Sequence, residues 1–216
     1  MPVRLLVCDL DGTLLKVNSF RWWVVYWVCA GWLRPGFWSC WCRVLVRRLL
    51  GVMRREDMKA ELMALYSINE QRLPSTLKRL FCRLLKLMVD WRVGQFIKQK
   101  QNEGFVGILA TAAPDVYLMD IIQCFGFRGA VGSYLDSGTL VETIGEAKSR
   151  SVLGLIESWG LSREECFIVA LTDHSDDIPI ALEVDQTVLV NPSQLTTRAF
   201  KQAGIDFEQF RGEEQG

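Results

Sequence analysis

Between Gly12 and Arg55 the chain has no aspartate and no glutamate, although Lys16, Arg21, Arg34, Arg43, Arg47, Arg48, Arg54 and Arg55 all fall in that stretch. The whole is formally neutral, with 25 basic and 25 acidic residues among 216, so no global field recruits nucleic acid or acidic substrates. The imbalance is local. Paired CxxC spacing is also missing among the seven cysteines, Cys8, Cys29, Cys40, Cys42, Cys82, Cys124 and Cys166. An odd number in mostly apolar surroundings argues against a disulfide framework and suits reduced thiols in a cytoplasmic protein. Cys40-Trp41-Cys42 is too tight for a metal site. Nor does any charge-free run reach membrane length: Trp22 to Leu33 spans twelve residues, short of the ~20 that a spanning helix needs. The first apolar run is broken by Asp9 and lacks a small-residue cleavage site, so no secretory signal is expected. Internal repeats and low-complexity stretches are absent too.

At 50% hydrophobic, 216 residues suffice for one core plus a sizeable insertion. The stretch that organises the chain is Val7-Cys8-Asp9-Leu10-Asp11-Gly12-Thr13-Leu14. Leu5, Leu6, Val7 and Cys8, apolar without alternation, predict a strand buried on both faces, as in a parallel sheet. Two carboxylates follow, one residue apart. At the C-terminal end of such a strand they lie where open α/β sheets bind ligands, and Gly12 lets backbone approach a small anion. Taken alone, Asp-Leu-Asp-Gly reads equally well as a polar turn. The downstream order changes that. Ile108-Leu109-Ala110-Thr111 is a second apolar strand ending in a hydroxyl, and Lys148 follows Gly145-Glu146-Ala147 at a helix start. Val169-Ala170-Leu171-Thr172-Asp173 is a third strand ending in acid, with Asp176 and Asp177 close behind.

In that order Asp9 and Asp11, Thr111, Lys148, and Asp173 with Asp177 resemble the haloacid dehalogenase superfamily, whose motifs are DxDGT, a strand-end Ser/Thr, a Lys and an acidic pair of the type GDxxxD. One departure is visible, because Thr172 stands where the last motif usually has Gly. The GEAK context of Lys148 and the later Leu189-Val190-Asn191-Pro192 look most like the phosphoserine-phosphatase-like branch, subclass IB. The resemblance implies an α/β fold: a Rossmann-like core of parallel sheet flanked by helices, from residues 1–15 and 96–216, with an inserted all-helical C1-type cap over 16–95. It implies a phosphatase working through an aspartyl-phosphate intermediate. Asp9 would be the nucleophile, Asp11 the acid and base, Thr111 and Lys148 the partners of the phosphoryl group. Gly12, Thr13 and Ala112 would bind substrate. Mg²⁺ would be held by Asp9, Asp11 and Asp173, with Asp177 assigned to the same metal set, or with Asp176 or Asp177 acting behind it to orient Lys148 or a metal-bound water. His174, the single histidine, lies outside the family's catalytic set and is placed near substrate by its position alone. Lys148 also reads as an exposed helix lysine, Thr111 as a strand-end cap, and Asp176 as a helix-start signal before Ile178.

Six of the eight tryptophans fall in the hairpin from Ser19 to Leu50, around a turn at Arg34-Pro35-Gly36. Two readings compete for it. Its aromatics pack inside a helical cap, or residues 19–50 meet a membrane surface or a lipid phosphate, since interfacial helices are rich in Trp and Arg. Loosely, by composition, this hairpin also resembles bacterial phosphatidylglycerophosphate phosphatases. A soluble metabolite such as a phosphoserine-like or sugar phosphate suits the core motifs equally well, and a non-catalytic binding protein on the same fold is the alternative from another class.

Further along, stripes predict helices over Arg55–Ser67 and around Leu77–Met88, with another near Trp91 re-entering the core. The remaining elements expected are a strand at Phe105–Leu109, a helix from Pro114 to Phe125, a small hairpin over Tyr134–Glu142 and a helix over Glu146–Trp159. A strand at Cys166–Thr172, a helix over Ile178–Val184 and a last strand at Thr187–Val190 complete the alternation. The polar tail from Arg211 is expected to fray.

Overall fold

The computed structural model describes residues 2–31, 37–69 and 75–210, so the Arg34-Pro35-Gly36 turn and the Arg211–Gly216 tail lie outside the described residues. The first strand, β1 (Val3–Cys8), pairs in parallel with β2 (Val106–Pro114) on one side and β5 (Cys166–Thr172) on the other. The complete order is β4-β3-β2-β1-β5-β6-β7, with β3 (Gly129–Asp136), β6 (Gln186–Val190) and β7 (Glu208–Phe210) parallel to their inner neighbours. Among the described strands only β4 (Thr139–Val141) runs antiparallel, at the edge.

Strand side chains alternate between faces, so each run of apolar residues fills two cores at once. Leu5, Val7, Ile108, Ala110 and Ile168 meet Val152 and Ile156 of α7 (Glu146–Ser158) and Ile180 of the short α8 (Ile178–Ala181). Leu6, Cys8, Leu109, Val169 and Leu171 point the other way, toward Val93 and Ile97 of α5 (Trp91–Asn102) and Ile121 of α6 (Leu118–Phe125). Helices on both faces explain why these strands read as continuous apolar stretches.

Among the described residues four helices are inserted after β1: α1 (Ser19–Gly31), α2 (Phe37–Leu49), α3 (Arg55–Asn69) and α4 (Ser75–Leu87). The chain leaves and returns through a two-stranded neck. Lys16 N–H donates to Met88 O at 3.0 Å, Asp90 N–H donates to Leu14 O at 3.0 Å, and Leu15 pairs with Val89 between them. The tryptophan-rich hairpin divides at this level. On α1, Trp23, Tyr26 and Trp27 are buried, with the Trp23 ring 5.6 Å from Trp27, 5.0 Å from Tyr66 of α3 and 5.6 Å from Tyr117. On α2, only Val44 among the described side chains is buried, while Leu45, Val46 and Leu49 face solvent, as does Leu50 just past its end. Among the described residues no helix is long and apolar enough to cross a membrane.

Several boundaries differ from the sequence expectation. Strand β2 runs past Thr111 to Pro114, whose extended ψ of 136° keeps it out of a helix, and a single 3₁₀ turn at Asp115–Tyr117 precedes α6. The hairpin around Ser137 and Gly138, both at positive φ, holds, but its first strand starts at Gly129 and pairs in parallel with β2 before it meets β4. The short helix after Asp177 ends at Ala181. Strand β6 is not the last: α9 (Gln194–Gln202) follows, capped by Ser193, and β7 then closes the edge of the sheet.

Candidate active site

The central strands β2, β1 and β5 end side by side, with β2 and β5 on opposite sides of the strand that starts the chain. That is the switch point where open α/β sheets bind ligands. Asp9 continues β1 by donating its N–H to Leu171 O at 2.9 Å, and the next residues fold back on themselves, with Gly12 N–H donating to Leu15 O at 2.8 Å. Gly12 has φ 93°, and a Cβ there would lie 2.3 Å from Asp173 Oδ2, so only glycine lets this loop approach the end of β5.

Lys148 sits in the first turn of α7, after Gly145 at φ 57°, and is 5% exposed. Its ammonium donates to Asp9 Oδ1 at 2.8 Å and to both oxygens of Asp177, at 2.7 and 2.9 Å. Thr172 adds its hydroxyl to Asp177 Oδ2 at 2.6 Å and accepts from His174 N–H at 3.2 Å. The Thr-for-Gly departure therefore supplies a side chain that fixes the acid behind Lys148. Asp11 turns its carboxylate toward α1, where Ser19 donates its N–H to Oδ1 at 2.7 Å and its hydroxyl to Oδ2 at 3.1 Å. Ser19 Oγ also lies 3.0 Å from the buried Tyr117 hydroxyl.

Burial dominates the electrostatics. It pushes the Asp9 carboxyl up to about 7, with Lys148 pulling down while Asp177 and Asp173 add to the rise. Burial likewise lifts Asp11 to about 6 against the two hydrogen bonds from Ser19. Asp173 is raised by burial, opposed by its hydrogen bond from Thr13. For Lys148, burial works against the charge, but the carboxylates of Asp9 and Asp177 override it and hold the ammonium above its usual range.

Asp9, Asp11, Thr111, Ala112, Lys148, Asp173, His174 and Asp177 line one cavity of about 480 Å³, together with Asn18, Phe20, Arg55, Glu56, Lys59, Glu142, Ile144 and Asp176. Thr13 does not face it. The Thr13 side chain is buried, and its hydroxyl donates to Asp173 Oδ1 at 3.0 Å, so it holds an acid in place. His174 stands at the rim, its side chain 62% exposed and its Nδ1 3.2 Å from Asp176 Oδ2. Among the described residues no three His, Cys, Asp or Glu side chains gather as a metal-holding group. The oxygens of Asp11 are engaged by Ser19 and those of Asp177 by Lys148 and Thr172. Asp9 and Asp173 are engaged through Oδ1 alone, by Lys148 and Thr13 in turn. Sequence reasoning missed Ser19, Tyr117 and Lys59. Only Ser19 carried a local signal, as a serine at a helix start.

Comparison with solved structures returns the same fold at low identity. A protein of unknown function from Bordetella pertussis Tohama I is 18% identical with a TM-score of 0.74, covering 96% of this chain and 99% of that one. A HAD family hydrolase from Salmonella enterica serovar Typhi is 10% identical with a TM-score of 0.61, covering 97% and 68%. A phosphoserine phosphatase solved as a phospho-aspartyl intermediate analogue is 15% identical with a TM-score of 0.55, covering 97% and 94%. No curated protein matches. The family model for haloacid dehalogenase-like hydrolases matches residues 6–182, spanning both inner acids of the first loop, Thr111, Lys148 and the Asp173–Asp177 turn, and the chain belongs to that family.

Proposed function

We propose that this chain is a Mg²⁺-dependent phosphomonoesterase that passes a phosphoryl group to Asp9 and then to water. The observation that carries the reading is the Lys148 ammonium 2.8 Å from Asp9 Oδ1, on a cavity that Asp11 and Thr111 share. A carboxylate can attack phosphorus, and a cation beside it draws in an anion that three acids alone would repel. Attack by Asp9 forms the aspartyl phosphate and breaks the bond to the ester oxygen. Asp11 gives its proton to that departing oxygen and then takes one from the water that cleaves the intermediate. A carboxyl raised to about 6 by burial is suited to both roles near neutral pH. Thr111 Oγ already accepts from Ala113 N–H at 3.1 Å, which leaves its own proton for a phosphoryl oxygen.

The residues fit Mg²⁺. Asp9, Asp173 and the Asp11 main-chain carbonyl are hard oxygen donors, and the side-chain-free space at Gly12 lies against Asp173 Oδ2. Bound there, the ion would supply positive charge that offsets the surrounding acids and the phosphoryl oxygens. Asp177 serves this reading from behind, through Lys148.

The helical insertion is read as a cap over a core of β1 and the later elements. We place its return at the Leu15–Val89 neck in preference to residue 95, because α5 already packs Val93 and Ile97 on the sheet. The cavity's far lining, with Asn18, Arg55, Glu56 and Glu142 beside Phe20 and Ile144, suits a small polar monoester such as a phosphoserine-like or sugar phosphate. The likeness to a phosphoserine phosphatase fold supports the same class. Six described cysteines are free thiols, which suits a reducing, cytoplasmic compartment.

Asp9→Asn should abolish release of inorganic phosphate from a generic monoester, and EDTA should silence the wild type until Mg²⁺ is returned. Full activity in that variant would end the proposal, and a chain that turns over no phosphate ester would instead be a binding protein on this fold. A second reading concerns location, and α2 favours it: exposed Leu45, Val46, Leu49 and Leu50 alternate with Arg43, Arg47 and Arg48 on a stretch without acids, as in helices that lie on anionic membranes. A lipid phosphate would then meet the cavity at the membrane surface.

A further inference from the structure

Lys59 lies on α3, far in sequence from every motif, yet its side chain is only 11% exposed. Its ammonium donates to Ala112 O at 2.8 Å, to Glu142 Oε1 at 3.0 Å and to Ser133 Oγ at 3.3 Å. An ammonium has three protons, so all of its donors are spent inside the protein and none is left for substrate. Those contacts join an insertion helix to the end of β2, to β3 and to the segment after β4. Ser133 completes the cluster by donating to Ala112 O at 2.7 Å and accepting from Thr143 N–H at 3.1 Å.

The carbonyl that Lys59 grips belongs to the same planar peptide unit as the Ala113 N–H. That N–H donates to Thr111 Oγ at 3.1 Å. Turning the Ala112 carbonyl would therefore turn the donor that sets the direction of the Thr111 hydroxyl. We propose that Lys59 is a positioning residue, which couples the seating of α3 on the core to the orientation of Thr111 through the Ala112–Ala113 peptide. When α3 is seated, the hydroxyl is aimed into the cavity; when α3 lifts, the Ala112 carbonyl keeps only the Ser133 hydroxyl and the plane is held less firmly. The step rests on the phosphatase reading for its catalytic consequence, while the hydrogen-bond chain itself does not.

Two measurements separate them. Lys59→Met keeps the length of the side chain and removes its donors. It should lower kcat by about 10- to 100-fold with KM changed less than about 3-fold, as expected for lost positioning. Glu142→Gln made alone, which keeps an acceptor for Lys59, should retain most of the wild-type rate. In a Thr111→Val background the Lys59→Met change should cost less than about 3-fold, because the group it aims is gone. Amide exchange at Ala113 should accelerate in Lys59→Met whether or not the chain turns over. Faster exchange in a chain without phosphatase activity would keep the latch and remove the reading it rests on. An active wild type with additive Lys59 and Thr111 losses, or unchanged Ala113 exchange in a folded Lys59→Met variant, would overturn the latch.

Discussion

Ser19 shows how one side chain can serve two neighbours. Its backbone and hydroxyl both donate to Asp11, and the same hydroxyl meets Tyr117, which is buried and whose own proton is held far above the usual range by burial and then by the Asp11 charge. Removing the hydroxyl leaves burial of Asp11 less opposed, so the carboxyl should move upward from about 6. Ser19→Ala should therefore shift the limb of the kcat/KM profile governed by Asp11 to higher pH. It should also destabilise the chain by ~1–3 kcal/mol, because the Tyr117 hydroxyl loses a buried partner. A pH–rate profile and a urea titration read both effects. A limb that stays in place or moves down would mean that Ser19 does not tune the acid.

At the scale of elements, the central strands were legible because each is buried on both faces. Leu5–Cys8 and Cys166–Leu171 show uninterrupted apolar character, and the ends of their strands deliver Asp9 and Asp173. Strand β7 was not legible: Glu208-Gln209-Phe210 is short and mostly polar, and it pairs only at the edge beside β6. Lys148, Asp11 and the Asp173–Asp177 turn could be found because family spacing marks them. Lys59 could not, since nothing near it in sequence says that α3 lies against Ala112. The aromatic hairpin was ambiguous for a physical reason. Composition cannot distinguish a helix that turns its large aromatics inward, as α1 does with Trp23, Tyr26 and Trp27, from one whose apolar residues mostly stay exposed, as on α2. That division makes a test of the surface reading specific. Leu49→Glu combined with Leu50→Glu, at positions 77% and 71% exposed, should leave stability within ~0.5 kcal/mol of the wild type and abolish flotation on anionic liposomes. Failure of the wild type to float, or flotation by the double variant, would exclude α2 as the contact.

Across the whole molecule, the ends of the central strands gather Asp9, Asp11, Asp173 and Asp177 around the Lys148 ammonium, more acid than that single charge can balance. Burial raises Asp9 to about 7 and Asp11 to about 6, and Asp173 is raised as well, all above their unfolded values. The folded chain therefore binds more protons than the unfolded chain between the ordinary carboxylate range and about pH 7. The stability this contributes is fully present below the unfolded pKa and is lost as pH rises through the folded values. A divalent cation reverses the balance, because it binds the ionised carboxylates and releases their protons. Saturating Mg²⁺, at ~100 times its dissociation constant, would contribute ~2.7 kcal/mol, which for a domain of this size is a rise in Tm of ~5–10 °C. That rise should appear at pH 8 and shrink toward zero near pH 5, where Asp9 and Asp11 are protonated and the ion loses the Asp9 ligand. Thermal unfolding with and without Mg²⁺ across this range measures it directly. Asp173→Asn should remove most of the pH 8 rise by deleting one of the two carboxylates proposed to hold the ion. A rise of the same size at both pH values would place the cation away from the buried acids and undo the assignment.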